Sequence, residues 1–586
     1  MNHNMILSAS GWRKVFAISQ DEQDKSPHIS EDDKALSVIA ADVFFDYLVK
    51  TSGQENPVIA VGMDTRPTGA EIADAVLHAL ISREAIIQFT GIISAPEIMA
   101  FAKKLDGFIY ISASHNPIGH NGIKFGINDG GVLSAQENQK LISEFTERLK
   151  NDSDVSSTVK KAYNCSSSRL SDCYKESESS KFNARNAYQN FAMETITGTK
   201  NKEYQTDFFG MFQNYLKEKP IGVLCDFNGS SRFHSIDRDF FYHNRINFYT
   251  MNEEEIVHEI IPEGDNLLPL QNGMKELQEQ NYRDVILGYM PDCDGDRGNL
   301  VYWDEKENNA VILKAQEVFS LSVLAELTYS IWQHTGEKNF KPAVVVNCPT
   351  SMRINEIAET LGAKVFRAEV GEANVVNLAR EKRAEGYDIR ILGEGSNGGT
   401  ITYPASVRDP LNTIFAIIKL LTLREEGLFK LWCDKRKIDY NPDFTITDIL
   451  KSLPEYVTTG VSDERALLKI KTEDHAKLKA NFQKIFESQW EQKCKDFKKY
   501  KVKSYEAVIT NGTVEQTDVK DFSLSNKGGL KIILKDASNK PVAFLWMRGS
   551  GTERVFRILC DVKGNKPEFE QKLCEWLSSM LLEADK

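Results

Sequence analysis

The chain has 586 residues, enough for roughly four domains at about 150 residues each. It carries 72 Lys+Arg against 84 Asp+Glu, a formal charge of -12, so no global positive field is available to hold nucleic acid or an anionic lipid surface. With 41% apolar and 10% aromatic residues it can build several cores, which excludes wholesale disorder.

The best apolar stretch, Thr413 to Leu423, is shorter than the ~20 residues a bilayer span needs and contains Lys419, so no membrane segment is expected. The N-terminus places its basic residues after a brief apolar run, the reverse of a secretory signal. Nine cysteines are scattered singly, with no C-x-x-C and no histidine at finger spacing. The compartment reads as reducing cytoplasm, without disulfides or a zinc module.

Within residues 1–150, Ser30 to Asp33 has the form of a capping box, and Leu36, Ile39, Ala40, Val43, Phe44, Tyr47 and Leu48 follow at helical spacing. The β-branched run Pro57 to Val61 leads into the turn Gly62–Pro67, a helix to about Arg83 and a second apolar run, Ala85 to Phe89. A helix from Ala95 to Leu105 then precedes the strand Gly107 to Ile111. Strands alternating with helices predict βαβ units and parallel strands covered on both faces. Residues 151–183 break the pattern with ten serines among charged residues, which predicts an inserted mobile loop or linker. Alternation resumes in 184–312 with strands near Ile221 to Asp226, Arg245 to Tyr249 and Asp284 to Tyr289. A third block, 313–430, opens with a helix over Ala315 to Gln333 and continues with strands at Ala343 to Val346, Lys364 to Arg367 and Ile389 to Leu392. The last block, 431–586, is richer in lysine, with six between Lys493 and Lys503 that read as a solvated face, and has short strands such as Leu530 to Leu534.

Four loops carry chemistry. Ser112-Ala113-Ser114-His115-Asn116-Pro117 follows a strand, at the carboxyl end where open α/β sheets bind ligands. Asp292, Asp294 and Asp296 lie at i, i+2 and i+4 in Pro291-Asp292-Cys293-Asp294-Gly295-Asp296-Arg297, again after a strand. Such a cluster needs a compensating cation, and an all-oxygen set suits Mg²⁺ or Ca²⁺. An EF-hand is excluded, because Arg297 stands where its glycine should be and Trp303 where its glutamate should be. Gly393-Glu394-Gly395-Ser396-Asn397-Gly398-Gly399-Thr400 resembles a phosphate loop but has Gly399 in place of the lysine, and Glu394 has the wrong sign for phosphate. Glu394 and Ser396 are better suited to sugar hydroxyls. Arg548-Gly549-Ser550-Gly551-Thr552-Glu553-Arg554, with Arg557 beyond, has the donors of an anion nest. Ser10-Gly11-Trp12-Arg13-Lys14 adds a basic glycine turn.

Taken together, in this order and spacing, the four loops resemble those of the α-D-phosphohexomutase superfamily, the phosphoglucomutases and phosphomannomutases, over nearly the whole chain. The resemblance implies an α/β fold: three related α/β domains with mixed sheets plus a C-terminal α+β domain around a central cleft. It implies that Ser114 is the phosphorylated nucleophile and binds the metal with Asp292, Asp294 and Asp296. His115, Lys124 and Arg13 become candidates for proton transfer and charge stabilisation. Arg297, Glu394, Ser396, Arg548, Ser550, Gly551, Thr552 and Arg557 become candidates for substrate binding. Mg²⁺ is the implied cofactor, and glucose 1,6-bisphosphate the implied activator and intermediate.

The expected partner is a hexose phosphate, with no nucleic acid or membrane, on a monomer or weak dimer. Gly549 and Arg554 depart from the family pattern, which has proline at both places, and the serine-rich insertion has no counterpart. Ser396-Asn397-Gly398 and Ser-Gly-Trp-Arg-Lys favour glucose phosphates, with mannose phosphates close behind; the Ser-Gly-His form of aminosugar members is absent. A metal-dependent sugar-phosphate phosphatase and a non-catalytic sugar-phosphate sensor are the alternatives.

Overall fold

A computed structural model of the chain describes residues 4–8, 10–549 and 555–586. These fall into two structural units. One comprises Met1–Trp303, Asn308–Ile312 and Pro404–Ile414, the other Asp304–Glu307, Leu313–Tyr403 and Phe415–Lys586.

The first unit holds two sheets. In the six-stranded one, Val58–Met63 lies between Ile86–Ile92 and Gly107–Ile111, parallel to both, and His120–Ile127 returns antiparallel to Gly107–Ile111. Gly11–Val15 and Ile6–Ser8 extend the sheet beyond that return strand. The five-stranded sheet repeats the plan: Gly222–Asp226 lies parallel between Asn247–Met251 and Val285–Pro291, and Gly298–Asp304 returns antiparallel to Val285–Pro291. The alternation of strands and helices thus predicts the parallel strands correctly. It misses the returning hairpins, because a short hairpin leaves no helical pattern between its strands.

The helix Glu31–Ser52 starts where the capping signal placed it. Ser30 Oγ accepts from Asp33 N, and Leu36, Ile39, Val43, Phe44 and Leu48 are buried. This core continues through Ile72, Val76 and Leu80 of the helix Gly69–Ser82.

The serine-rich stretch is not a loop. It forms the helices Asp152–Tyr163 and Ser167–Lys175 and the start of Ser177–Thr197. Asn151 and Ser166 cap the first two through side-chain oxygens that accept from Asp154 N and Arg169 N. Val155, Val159 and Ala162 make an i, i+4, i+7 stripe that packs with Leu170 on the first core. Arg169 Nη2 donates to Ala85 O at 2.8 Å, and Tyr174 OH to Asp74 Oδ1 at 2.7 Å. Eight of the ten serines are exposed, with Ser177 half-buried and Ser180 buried, which is why composition alone suggests a linker.

The second unit repeats the plan a third time. Pro342–Asn347 lies parallel between Lys364–Ala368 and Asp388–Glu394, and Gly399–Thr402 returns antiparallel. Its last sheet has seven antiparallel strands, centred on Gly529–Lys535, Pro541–Gly549 and Phe556–Lys563. The helices His475–Asp496 and Pro567–Ala584 bury Phe482, Phe486, Leu573 and Trp576 against Ile532, Leu545 and Ile558 of that sheet. Phe544, Trp546 and Leu559, on its other side, pack with Cys348 and Met352. Among the described residues no helix is long and apolar enough to cross a membrane. Lys419, the one charge in the most apolar stretch, is buried with its ammonium 2.5 Å from Glu326 Oε1.

Candidate functional site

In the first unit, the serine loop and the aspartate loop both lie where the third parallel strand of a sheet turns into its antiparallel return strand. They meet there: Ser114 Oγ donates to Asp292 Oδ2 at 2.9 Å. Ser114 is 2% exposed and holds φ at 55°, a left-handed conformation that costs a serine about 1–2 kcal/mol. The loop is fixed from both sides. Ser114 N donates to Ser112 Oγ at 2.8 Å, while the Arg66 guanidinium donates to the carbonyls of Ser114, Asn116, Pro117 and His120.

Asp292, Asp294 and Asp296 are all buried, and one carboxylate oxygen of each lies within 4.8 Å of the others. The cluster carries its own cations. Lys124 Nζ is 2.6 Å from Asp294 Oδ2, and Arg408 Nη2 is 2.7 Å from Asp296 Oδ2. Arg297 N donates to Asp292 Oδ1 at 3.1 Å, with Nε 3.9 Å from Oδ2. Asp294 Oδ1 and Asp296 Oδ1 are buried without a hydrogen-bond partner among the described residues. Three converging hard oxygens with open lone pairs fit a divalent cation such as Mg²⁺.

Burial, with repulsion from Asp294 and Asp296, pushes the Asp292 carboxyl well above the usual range. Burial also works against the charged form of Asp294, but Lys124, together with Arg408 and Asp292, holds that group below the usual range. Arg297, together with burial and with Arg13 and Arg408, drives His115 well below the ordinary imidazole value, so the ring is neutral. Its Nδ1 lies 3.5 Å from Ser114 Oγ, at the outer limit of a hydrogen bond. Arg13 Nη2 donates to Ser10 O at 3.0 Å, and its Nε is buried without a partner among the described residues.

Glu394 and Ser396 form their own constellation in the second unit. Asn347 Nδ2 donates to Glu394 Oε1 at 3.2 Å and to Ser396 Oγ at 3.0 Å. Gly371 N donates to Glu394 Oε1 at 2.8 Å. Gly393 has φ 150°, and a Cβ there would lie 2.0 Å from Gly399 O, so only glycine lets this hairpin close. Arg548 and Arg557 are cross-strand partners. Arg548 Nε is 3.0 Å from Glu369 Oε1, and Arg557 Nη1 donates to Val461 O at 3.1 Å. Ser550, Gly551 and Thr552 lie outside the described residues.

Residues 10–152 match the family model of phosphoglucomutase/phosphomannomutase α/β/α domain I, and residues 322–435 that of domain III. Over these two stretches the chain is similar to the phosphoglucomutase/phosphomannomutase family. A phosphoglucosamine mutase of Methanococcus aeolicus is 26% identical over 347 residues, which cover 58% of this chain and 64% of that protein. The chain thus spans less than two thirds of the length of the curated relatives it matches. Among solved structures, a phosphoglucomutase/phosphomannomutase family protein of Burkholderia thailandensis has the same fold at 15% identity and a TM-score of 0.60, covering 99% of this chain and 97% of that one. The open form of the Paramecium phosphoprotein pp63/parafusin, a phosphoglucomutase, matches at 13% identity and a TM-score of 0.61, covering 99% and 95%.

Sequence reasoning passed over four residues that hold these two constellations, Arg66 and Arg408 in the first unit and Asn347 and Glu369 in the second. Arg66 was legible only as part of a turn, although that turn also ends a parallel strand. Arg408 stands in a stretch, Pro404–Ile414, that packs with the first unit although it lies inside the third block. Asn347 and Glu369 each end a strand of the third sheet or immediately follow one, and no spacing rule marks them.

Proposed function

We propose that the chain is a phosphohexomutase that moves a phosphoryl group between the 1 and 6 positions of a hexose, through phosphorylated Ser114 and a hexose 1,6-bisphosphate. The observation that carries this reading is the 2.9 Å hydrogen bond between the Ser114 hydroxyl and Asp292, inside a buried triplet of aspartates. An ordinary structural serine needs neither the left-handed backbone nor three carboxylates beside it.

In the forward half of the cycle, the free sugar hydroxyl oxygen forms a bond to phosphorus as the bond from phosphorus to Ser114 Oγ breaks. The sugar hydroxyl gives up a proton, and the Ser114 oxygen regains one. Neutral His115 can accept at Nδ1, and Lys124 with Arg13 offsets the charge of the transferring group. The bisphosphate then turns end for end and returns its other phosphoryl group to Ser114. Asp292, Asp294 and Asp296, with an oxygen on Ser114, are the residues that would hold Mg²⁺. When bound, Mg²⁺ supplies neutralisation of charge on the phosphoryl oxygens. Arg66 holds the nucleophile loop rigid throughout. Glu394 and Ser396 are assigned to sugar hydroxyls, and Arg297, Arg548 and Arg557 to substrate phosphate.

Ser114→Ala tests the reading. The variant should retain its fold, lose turnover by several orders of magnitude and show no phosphorylated species by intact mass, whereas wild type should need glucose 1,6-bisphosphate for full activity. Near-normal turnover of Ser114→Ala overturns the covalent cycle. Inorganic phosphate released without isomerisation would support the phosphatase reading instead.

Glucose 1-phosphate is the first substrate to test, because Ser396-Asn397-Gly398 resembles glucomutase forms. Glucosamine 1-phosphate is the second reading, favoured by the phosphoglucosamine mutases among the relatives. Side-by-side turnover of these two and mannose 1-phosphate ranks them.

A further inference from the structure

The carboxylate of Glu369 joins the last sheet to the third. Along the strand Pro541–Gly549, Leu545 and Met547 are buried in the helix-covered core, while Phe544 and Trp546 pack on the other face with Cys348, Met352 and Val370. Strand alternation continues that second set with Arg548, whose side chain therefore lies on the face turned toward the third sheet. Glu369 meets it there. It directly follows the strand Lys364–Ala368, and its Oε1 lies 3.0 Å from Arg548 Nε.

Both oxygens of this carboxylate are fixed. Oε1 also accepts from Val370 N at 2.8 Å, and Oε2 accepts from Thr510 Oγ1 at 2.7 Å and from Gly529 N at 2.5 Å. Two glycines make room for it. A Cβ on Gly528 would lie 2.3 Å from Thr510 O and 3.1 Å from Glu369 Oε2, and one on Gly529 would lie 2.8 Å from Trp546 Nε1. The Glu369 side chain is 6% exposed against 24% for Arg548. A buried carboxylate with three further donors does not follow a moving arginine; it holds the arginine still.

The same short segment also reaches the sugar hairpin. Gly371 N donates to Glu394 Oε1 at 2.8 Å, from a backbone at φ 126° that favours glycine. Glu369, Val370 and Gly371 thus fasten Arg548 at one end and Glu394 at the other. Three residues leave little slack between them.

We propose that Glu369 is a positioning residue that fixes Arg548 at a set span from Glu394, so that the phosphate and the ring hydroxyls of one hexose phosphate are gripped at once. This rests on the assignment of Arg548 to substrate phosphate and of Glu394 to sugar hydroxyls. Two contacts on one ligand reinforce each other only while their spacing matches the ligand. Inorganic phosphate makes no second contact and can follow a loosened arginine. Glu369 therefore selects phosphate carried on a sugar over free phosphate.

The test is calorimetric affinity of the full chain for glucose 1-phosphate and for inorganic phosphate, in wild type, Glu369→Asp and Glu369→Gln. Glu369→Asp keeps the charge and shortens the reach by one methylene. It should weaken glucose 1-phosphate about tenfold, the cost of ordering one long side chain at binding instead of beforehand, and leave inorganic phosphate within about twofold. Glu369→Gln also removes a negative charge that repels both ligands alike, so the ratio of the two affinities should still shift about tenfold against glucose 1-phosphate. With Arg548 already alanine, neither substitution should move that ratio. A ratio within twofold of wild type in both variants overturns the proposal. So does a shift that persists undiminished without Arg548, which marks a merely structural role.

Failure of the mutase reading gives a different result. A wild-type chain that binds glucose 1-phosphate without isomerising it loses that reading, while the affinity ratio still decides the role of Glu369. A wild-type chain that binds no hexose phosphate overturns both. Unchanged glucose 1-phosphate affinity in Arg548→Ala removes the phosphate assignment, and the role of Glu369 falls with it.

Discussion

Arg66 offers the sharpest test of how the nucleophile is held. Its guanidinium donates to four loop carbonyls, and its Nε lies 3.4 Å from Asp64 Oδ2, with both side chains fully buried. Arg66→Met keeps the volume and removes every donor. Two costs follow. Breaking a buried pair by removing one partner costs about 3–5 kcal/mol, since Asp64, already pushed up by burial, loses the cation that offsets it. The loop also loses what holds Ser114 at φ 55°. Relaxation of even one ångström at a reacting atom costs roughly 100-fold in rate. Arg66→Lys should recover little, because a point charge cannot satisfy four carbonyls that a planar fork reaches. The assay pairs thermal unfolding with hexose phosphate turnover and with phosphoserine content by mass spectrometry. A folded Arg66→Met chain that turns over within threefold of wild type would refute the claim that this arginine sets the nucleophile.

The remaining predictions concern the metal triplet and the sugar hairpin. Mg²⁺ at about 100 times its Kd should stabilise wild type by about 2.7 kcal/mol, read as a rise in Tm, and the rise should disappear in Asp294→Asn. Asp294→Asn also leaves the buried Lys124 ammonium without its partner, so it should lower Tm in chelator as well; an equal Mg²⁺ shift in both proteins would overturn the metal assignment. Gly393→Ala places a Cβ against Gly399 O in a backbone conformation that disfavours side chains, and should destabilise the second unit by at least about 1–3 kcal/mol by denaturant titration while raising KM. Unchanged stability there would show that the hairpin can open without cost.

Much of the scaffold was legible because its strands are apolar runs and its helices carry both caps and periodic faces. The helix Glu31–Ser52 shows its N-cap at Ser30 and buries the recurring apolar residues Leu36, Ile39, Val43, Phe44 and Leu48. The residues 151–183 were misread because Val155, Val159 and Ala162 are a sparse stripe among serines, and composition averages over faces that a helix separates. The chemical residues were legible where they cluster along the chain, as in the aspartate triplet. They were illegible where the fold gathers single residues: Arg408 meets Asp296 across 112 positions, and Lys124, named only through the family resemblance, meets Asp294 across 170. No local pattern encodes such a pair, since each is set by where a whole strand or loop comes to rest.

The three α/β sheets explain why each loop was ambiguous alone. Ser114 lies between Gly107–Ile111 and its antiparallel return, the aspartates between Val285–Pro291 and its return, and Glu394 with Ser396 between Asp388–Glu394 and its return. The same hairpin therefore carries the proposed nucleophile, the proposed metal-binding cluster and the proposed hydroxyl-binding pair. Its position at the carboxyl end of a central parallel strand exposes backbone N–H groups and fixes the direction of the loop, whatever side chains it bears. Fold-level repetition thus supplies the platform three times, and substitution within a few residues supplies three chemistries. Replacing a residue in one such loop should then change the chemistry without unfolding its sheet, whereas replacing the glycine that closes a hairpin, as at Gly393, should weaken the sheet that bears it.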